Sequence, residues 1–458
     1  MRKLLIANRG EIARRVIRSA RARGIATVAV YSEIDAQSLH VADADEAIAI
    51  GPAPARQSYL DASKVIEAAT ASGADAIHPG YGFLSENAEF AEAVMDAGLI
   101  WVGPAPDTLR SMGDKDRARR IAASAGVPVV PGSPRIETGS KVDLDALARE
   151  VGFPLLVKSS AGGGGIGMRR VDSYDRLAET IGATASMAEK SFGDGTVFLE
   201  RFVPRARHVE IQVFGFGNGE AIHLYERDCS LQRRFQKVIE ESPAPKFTDK
   251  LRSDMAAAAV ALCRETKYAG AGTVEFILDV KTEEFFFLEM NTRIQVEHPV
   301  TEMVTGRDLV GMQLDFARGA LSSVDQTAIE SSGHAIQCRL YAENPNKSFM
   351  PSPGTLSRFK LPDPDSALRV DCGYREGDVV SPHYDPMIAK IIAHGADREA
   401  ACRRAIAALE EIEIEGIATN RDFLLACLQN SAFRAGEVHT GFIEEEKSGL
   451  LAAVVAKP

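Results

Sequence analysis

The sequence predicts a multidomain protein of mixed α/β and α+β class: an N-terminal doubly wound α/β domain, a central domain with a mobile lid, and a mixed C-terminal domain. Three observations predict it. Residues 3–110 alternate short apolar runs with helical patterns, and strand, helix, strand repeated in this way builds a parallel sheet wrapped by helices. The glycine-rich run Ser159–Met168 lies between two short strand-like segments, where a loop can move. Past residue 330, Pro351-Ser352-Pro353-Gly354 and Leu361-Pro362-Asp363-Pro364-Asp365 punctuate a third domain. The divisions are 1–113, 114–330 with the lid at about 131–204, and 331–458.

In order, Lys3–Ala7, Ala26–Tyr31, Ala74–His78 and Ile100–Val102 read as strands, and Glu11–Arg23, Ala62–Ala71 and Glu89–Ala97 as helices. Ligands of such a sheet bind at the carboxyl ends of its strands, where Asn8-Arg9-Gly10 and His78-Pro79-Gly80-Tyr81-Gly82 fall. The central strands are His208–Phe214, Glu220–Tyr225, Gly272–Val280 and Glu284–Met290, and the long helical patterns are Asp249–Thr266 and Arg398–Glu411. There is no internal repeat.

The 458 residues are 45% hydrophobic and 26% charged, ordinary globular proportions that exclude a disordered, collagenous or membrane-embedded chain. A net charge of -11 argues against a nucleic-acid or anionic-membrane surface, though not against a local phosphate pocket. The six cysteines form no CxxC pair or zinc-spaced cluster and read as reduced thiols. The apolar stretch from Leu4 is too short for a secretory segment, and no run is long enough to span a membrane. A cytoplasmic location is expected.

Gly162, Gly164 and Gly167 spell GxGxxG, but a dinucleotide fingerprint needs a helix after the turn, and here Met168–Val171 is strand-like. The run reads as a hairpin tip that closes over phosphates, or as a solvent loop. Lys158 ends an apolar strand just before it, where a buried amine needs a partner such as phosphate. Lys115 alone is an ordinary surface lysine.

With a turn centred on Thr282, residues 270–291 form a hairpin in which Glu275 opposes Glu289, with Asn291 two residues farther along the same face. Opposed carboxylates are destabilising unless a cation lies between them, and this set suits Mg²⁺ on a nucleotide; the alternative is a slipped register with one glutamate in solvent. If extended, the next segment puts Arg293, Gln295 and Glu297 on one side. A guanidinium fork, an orienting amide and a carboxylate base suit bicarbonate, unless this is a solvated polar face. His208-Val209-Glu210-Ile211-Gln212 alternates as a half-buried strand, and Arg227–Lys237, with four cations in eleven residues, is an anion site or an ion-pair cluster.

Together and in order, these motifs resemble the biotin carboxylase component of biotin-dependent carboxylases, an ATP-grasp family. The resemblance covers nearly the whole chain: Ile6–Ala13, the HPGYGFLSEN of His78–Asn87, Met112–Lys115, the GGGG loop, Arg207–Gln212, Arg227–Lys237, and the EMNTRIQVEHPVTE of Glu289–Glu302. It implies that ATP phosphorylates bicarbonate to carboxyphosphate, which releases CO₂ and a phosphate that deprotonates biotin N1 before carboxylation. It assigns ATP to Lys115, Lys158, Gly163, Gly164, Gly165, Ile166, Gly167, Met168, Glu200, Arg201, Val203, His208, Gln232 and Ile277, with Glu275 and Glu289. Glu275, Glu289 and Asn291 would hold Mg²⁺ or Mn²⁺. Lys237, Arg293, Gln295 and the Val296 backbone would bind bicarbonate, with Glu297 as general base. Arg339 would stabilise the biotin enolate, Tyr81 would line the biotin pocket, and Asp385 would orient Arg339.

Two positions depart from the family: Ile166 replaces a lysine or arginine, and Phe235 replaces a histidine or asparagine, each removing a polar group near the triphosphate. The chain has no Ala-Met-Lys-Met biotinylation motif. Biotin carboxyl carrier protein and carboxyltransferase are therefore expected as separate chains, with this one a homodimer serving an acyl-CoA carboxylase such as the acetyl-CoA carboxylase of fatty acid biosynthesis. The competing readings are another ATP-grasp carboxylate–amine ligase and a catalytically silent nucleotide-binding subunit.

Overall fold

Strand β1 (Lys3–Ile6) buries Leu4, Leu5 and Ile6 completely because it is the centre of a parallel sheet covered on both faces. With β2 (Ala26–Ser32), β3 (Glu46–Gly51), β4 (Ala76–His78) and β5 (Ile100–Trp101) it forms the order β3-β2-β1-β4-β5, all parallel. The edge strand β3 carries the short apolar run Ala47–Ile50, yet only Ile50 is buried and Glu46, Ala47 and Ala49 face solvent. The loops after β1 and β4 meet at the carboxyl end of the sheet, where Asn8 Nδ2 donates to the carbonyls of Pro79 and Tyr81 at 2.8 Å each. Gly80 has φ +64°, and a Cβ there would lie 2.8 Å from Asn8 Nδ2, so the close approach requires glycine.

These relations come from a computed structural model that describes residues 1–137, 139–140, 142–160 and 167–455. The lid contains a small antiparallel sheet, β6 (Leu155–Ser159), β7 (Met168–Val171) and β8 (Val197–Arg201), in the order β7-β6-β8. Lys158 pairs with Met168, so the glycine-rich segment connects two adjacent strands rather than a strand and a helix. Leu155, Val157 and Leu199 form a separate lid core beneath the helix Leu177–Phe192.

The largest sheet has eight strands: β9 (Ala206–Phe216), β10 (Ala221–Arg233), β11 (Gln236–Ser242), β12 (Ala269–Asp279), β13 (Phe285–Asn291), β14 (His334–Tyr341), and the strands Leu368–Cys372 and Met387–Gly395. Its order is β13-β12-β9-β10-β11-β14, then Met387–Gly395, then Leu368–Cys372. The β11–β14 pairing, from Ile239 opposite Cys338 to Ser242 opposite Ala335, carries the sheet across residue 330. β10 continues eight residues beyond Tyr225, through the polar run that pattern alone does not mark as strand.

In the β12–β13 hairpin Glu275 opposes Glu289 and Thr273 opposes Asn291, as a turn centred on Thr282 requires. Nearer the turn the register shifts, with Phe276 opposite Phe287, so Leu288 is the extra residue of a bulge. The bulge lets both phenylalanines remain in the core while the two glutamates stay opposed.

Candidate active site

Strand alternation and register assemble a row of charge across the large sheet. Arg227 on β10 opposes Glu210 on β9, Glu210 opposes Glu275 on β12, and Glu275 opposes Glu289 on β13. Three carboxylates on neighbouring strands need cations, and Lys237 of β11 serves two of them, Glu210 and Glu275. Its ammonium donates to Glu210 Oε2 at 2.6 Å, Glu275 Oε1 at 2.9 Å, Glu297 Oε1 at 2.6 Å and Gln295 Oε1 at 3.3 Å. Burial opposes its charge, but Cys229, Glu210, Glu275 and Glu297 outweigh that and hold the lysine firmly protonated.

Arg227 is completely buried and donates to Glu210, Gln212, Thr273 and Thr301, so the basic segment is an ion-pair cluster beneath the site. His208 Nε2 lies 2.7 Å from Glu275 Oε2. Burial would raise the Glu275 carboxyl, yet Lys237 and His208 hold it well below the usual range. Glu289 shifts upward, first through burial and then through the facing Glu275.

The segment 292–297 is irregular rather than extended, and Arg293 therefore faces a different set of partners from Gln295 and Glu297. Arg293 Nε donates to Glu86 at 3.0 Å, Nη2 to Asn291 Oδ1 at 2.9 Å and Nη1 to the Ile294 carbonyl at 3.2 Å. Gln295 Nε2 donates to Glu275 Oε1 at 3.0 Å. Glu297, fully buried, accepts from Lys237 and from Arg339 Nη2 at 3.0 Å. Burial would raise its carboxyl, but Lys237, Arg339 and Arg227 prevail and hold it ionised. Arg339 is oriented by Glu240 and Glu297; Asp385 lines the same cavity but accepts instead from the Met387 N–H. The expectation for Asp385 is corrected accordingly: the buried Arg339 is held by Glu240 on β11 and by Glu297 in the segment after β13.

Two cavities flank this cluster. One of about 340 Å³ is lined by Tyr81, Arg293, Val296, Arg339, Tyr341 and Asp385, among others. The Tyr81 hydroxyl is paired with Glu11, and burial together with that carboxylate pushes its pKa far up. The other, about 50 Å³, is lined by residues that include Lys115, Lys158, Glu200, Phe287 and Leu288. There Lys158 Nζ meets Glu200 Oε1 at 2.5 Å. Val203 and Ile277 pack together with Val130, Ala206 and Phe286 in a small apolar cluster. Gln232 opposes Lys237, and His208 opposes Ile277.

Arg201 is exposed and joins the fold through its backbone N–H to the Pro131 carbonyl. Gly167, at φ +89°, accepts from Ser159 N–H and leads into Met168 of β7. Gly163, Gly164, Gly165 and Ile166 lie outside the described residues. Phe235 is at the β10–β11 turn, 62% exposed, with Arg234 and Phe235 both at positive φ.

The carboxylate pair fits a divalent cation. Among the described residues Glu289 has no hydrogen-bond or ion-pair partner, although it is partly buried and faces another carboxylate. Asn291 places an amide beside them, its Nδ2 on Glu275 and its Oδ1 taken by Arg293.

Several site residues were not singled out from sequence. Glu210 lies in a noted strand, and its spacing from His208 and Gln212 was the available signal. Glu86 lies in the noted HPGYGFLSEN run, but its partners Thr292 and Arg293 lie more than 200 residues away along the chain, so its place in the site was not legible. Glu240 and Lys390 are likewise buried ions whose partners only the tertiary fold supplies.

A floor of antiparallel strands, a small lid sheet and charge-lined space between them define an ATP-grasp domain, here set between an N-terminal α/β domain and a C-terminal domain. Family models match in that order: "Biotin carboxylase, N-terminal domain" at 1–109, "Carbamoyl-phosphate synthase L chain, ATP binding domain" at 114–323, and "Biotin carboxylase C-terminal domain" at 337–445. Biotin carboxylase 1 of Bacillus subtilis is 48% identical over 97% of this chain and 98% of its own length. The mitochondrial methylcrotonoyl-CoA carboxylase subunit alpha of Glycine max is 49% identical over 98% of this chain and 61% of its own, so the chain spans about three-fifths of that relative. The solved biotin carboxylase of Campylobacter jejuni superposes with a TM-score of 0.92 at 40% identity, covering 97% of this chain and 98% of that one. The biotin carboxylase domain dimer of Hydrogenobacter thermophilus 2-oxoglutarate carboxylase, solved with MgADP, ADP and bicarbonate, gives 0.91 at 41% identity, covering 98% of each chain. The chain belongs to the biotin carboxylase family.

Proposed function

We propose that this protein carboxylates biotin, presented by a separate carrier protein, using ATP and bicarbonate. The observation that carries the reading is Lys237, whose single ammonium joins Glu275, at the carboxylate pair, to Glu297, which also meets Arg339 at the larger cavity. A cation at that junction can hold an anion between a nucleotide phosphate and an acceptor.

Bicarbonate binds to Lys237, Arg293, Gln295 and the Val296 N–H, and Glu297 takes its proton as a bicarbonate oxygen attacks the γ-phosphorus and ADP leaves. In the ligand-free arrangement Lys237 and Arg339 make Glu297 a weak base. An anion beside it offsets those charges and raises its basicity. Carboxyphosphate then divides into CO₂ and phosphate; the phosphate takes the N1 proton of biotin, and N1 attacks the CO₂ carbon. Arg339 stabilises charge on the ureido oxygen, and Tyr81 lines the pocket.

Lys115, Lys158, Gly163–Met168, Glu200, Arg201, Val203, His208, Gln232 and Ile277 bind ATP. Glu275, Glu289 and Asn291 would hold the divalent cation, whose part is to offset the charge of the triphosphate.

The carrier and carboxyltransferase act as partner chains, and the protein works as a homodimer in the cytoplasm. The final acceptor is an acyl-CoA: methylcrotonoyl-CoA is supported by the 49% identity to the methylcrotonoyl-CoA carboxylase subunit of Glycine max, and acetyl-CoA is the acceptor that the resemblance implies. ADP release from Mg-ATP tests the reading. Stimulation by bicarbonate and then by free biotin supports it; release that ignores biotin sends the search to an amine acceptor, and no release favours a silent nucleotide-binding subunit.

A further inference from the structure

The Val296 N–H, assigned to bicarbonate above, belongs to the peptide whose carbonyl is Gln295 O. In a planar trans peptide the C=O and N–H point in opposite directions, so whatever grips the carbonyl also aims the N–H. Gln295 O is held by the His298 ring, Nδ1 to O 2.6 Å, and by the His298 backbone N–H at 3.3 Å. A carbonyl cannot donate, so Nδ1 carries the proton and the ring is fixed as one tautomer.

The ring is fully buried, its Nε2 has no hydrogen-bond partner, and Glu302 Oε2 lies 3.8 Å from that atom. The following peptide is pinned as well, with Lys390 Nζ donating to the Val296 carbonyl at 3.0 Å. Between these two anchored carbonyls, Val296 lines the larger cavity and its N–H makes no hydrogen bond among the described residues. A half-buried peptide donor left free and held from both sides is arranged for a ligand.

We infer that His298 is a positioning residue, which through its Nδ1–H aims the Val296 N–H at the anion; the inference rests on the bicarbonate reading above. Asparagine places an N–H where histidine has Nδ1, whereas glutamine reaches toward the Nε2 position. The two substitutions therefore separate the aimed hydrogen bond from the mere filling of space.

The test compares His298→Gln and His298→Asn in ADP release, with bicarbonate and ATP varied separately and thermal midpoints measured alongside. His298→Gln is expected to raise the bicarbonate KM about tenfold, the worth of one hydrogen bond to an ion, with the ATP KM within about twofold. His298→Asn is expected to recover most of that loss. Equal effects of the two variants, or an ATP KM that rises in step, would overturn the inference. Should His298→Gln not fold, ¹⁵N spectra of histidine-labelled wild type decide: a buried Nδ1–H ring supports the inference and an Nε2–H ring overturns it. Wild-type ADP release indifferent to bicarbonate would remove the parent reading itself, a result distinct from any failure of the variants.

Discussion

The floor of the site and the lid above it handle charge in opposite ways. On the floor, Glu210, Glu275 and Glu297 are buried and share one lysine, with Arg227 and Arg339 completing the set. At the lid side, Lys158 has a single carboxylate partner among the described residues, Glu200, and Lys115 and Arg201 are exposed. A floor with its dipoles already fixed stabilises developing charge without reorganising. A lid with few fixed partners can rearrange around a nucleotide at little cost. The difference teaches where this protein is pre-formed and where it adapts.

Substitutions can break that contrast. The largest effect is expected for Glu297→Gln, which removes the base and should lower bicarbonate-dependent turnover by about 10²–10⁴ with ATP KM little changed; an ATP KM that rises in step would erase the division. Arg293→Ala should follow, at roughly 10²–10³ in biotin carboxylation through lost oxyanion stabilisation. On the lid, Lys158→Met should raise the ATP KM by about ten- to a hundredfold, the worth of a charge-assisted hydrogen bond, while leaving the bicarbonate KM in place. Glu289→Gln should weaken the apparent Mg²⁺ affinity about tenfold. The same change relieves the repulsion with Glu275, so the melting temperature of metal-free protein should rise by about 1–2 °C. Smallest is Phe235→Gly, which suits the positive φ of that turn and should raise the melting temperature by about 1 °C without altering either KM.

Much of this was legible in the chain. The continuous apolar runs that mark β1, β2 and β4 are strong because those strands are buried on both faces, and the opposition of Glu275 and Glu289 follows from counting outward from Thr282. The bulge at Leu288 was not legible, since it answers to packing of Phe276 and Phe287 in a core shared with other elements. The strand character of Glu226–Arg233 was hidden for a related reason: Arg227 is tolerated inside a sheet by Glu210, Gln212, Thr273 and Thr301, which come from three other segments. Arg293 points toward Glu86 because the segment after β13 leaves the strand path, and no local pattern records a partner in the N-terminal domain.

The pairing of β11 with β14 has a practical meaning for anyone dividing the molecule. A gene cut at residue 330 would leave one fragment ending its sheet at β11 and the other beginning its sheet at β14, each with an open border of unpaired peptide groups. Such pieces would aggregate when made alone and would find each other when made together. The ATP-grasp and C-terminal portions are thus a single unit of assembly, joined by this pairing and by helices packed across it.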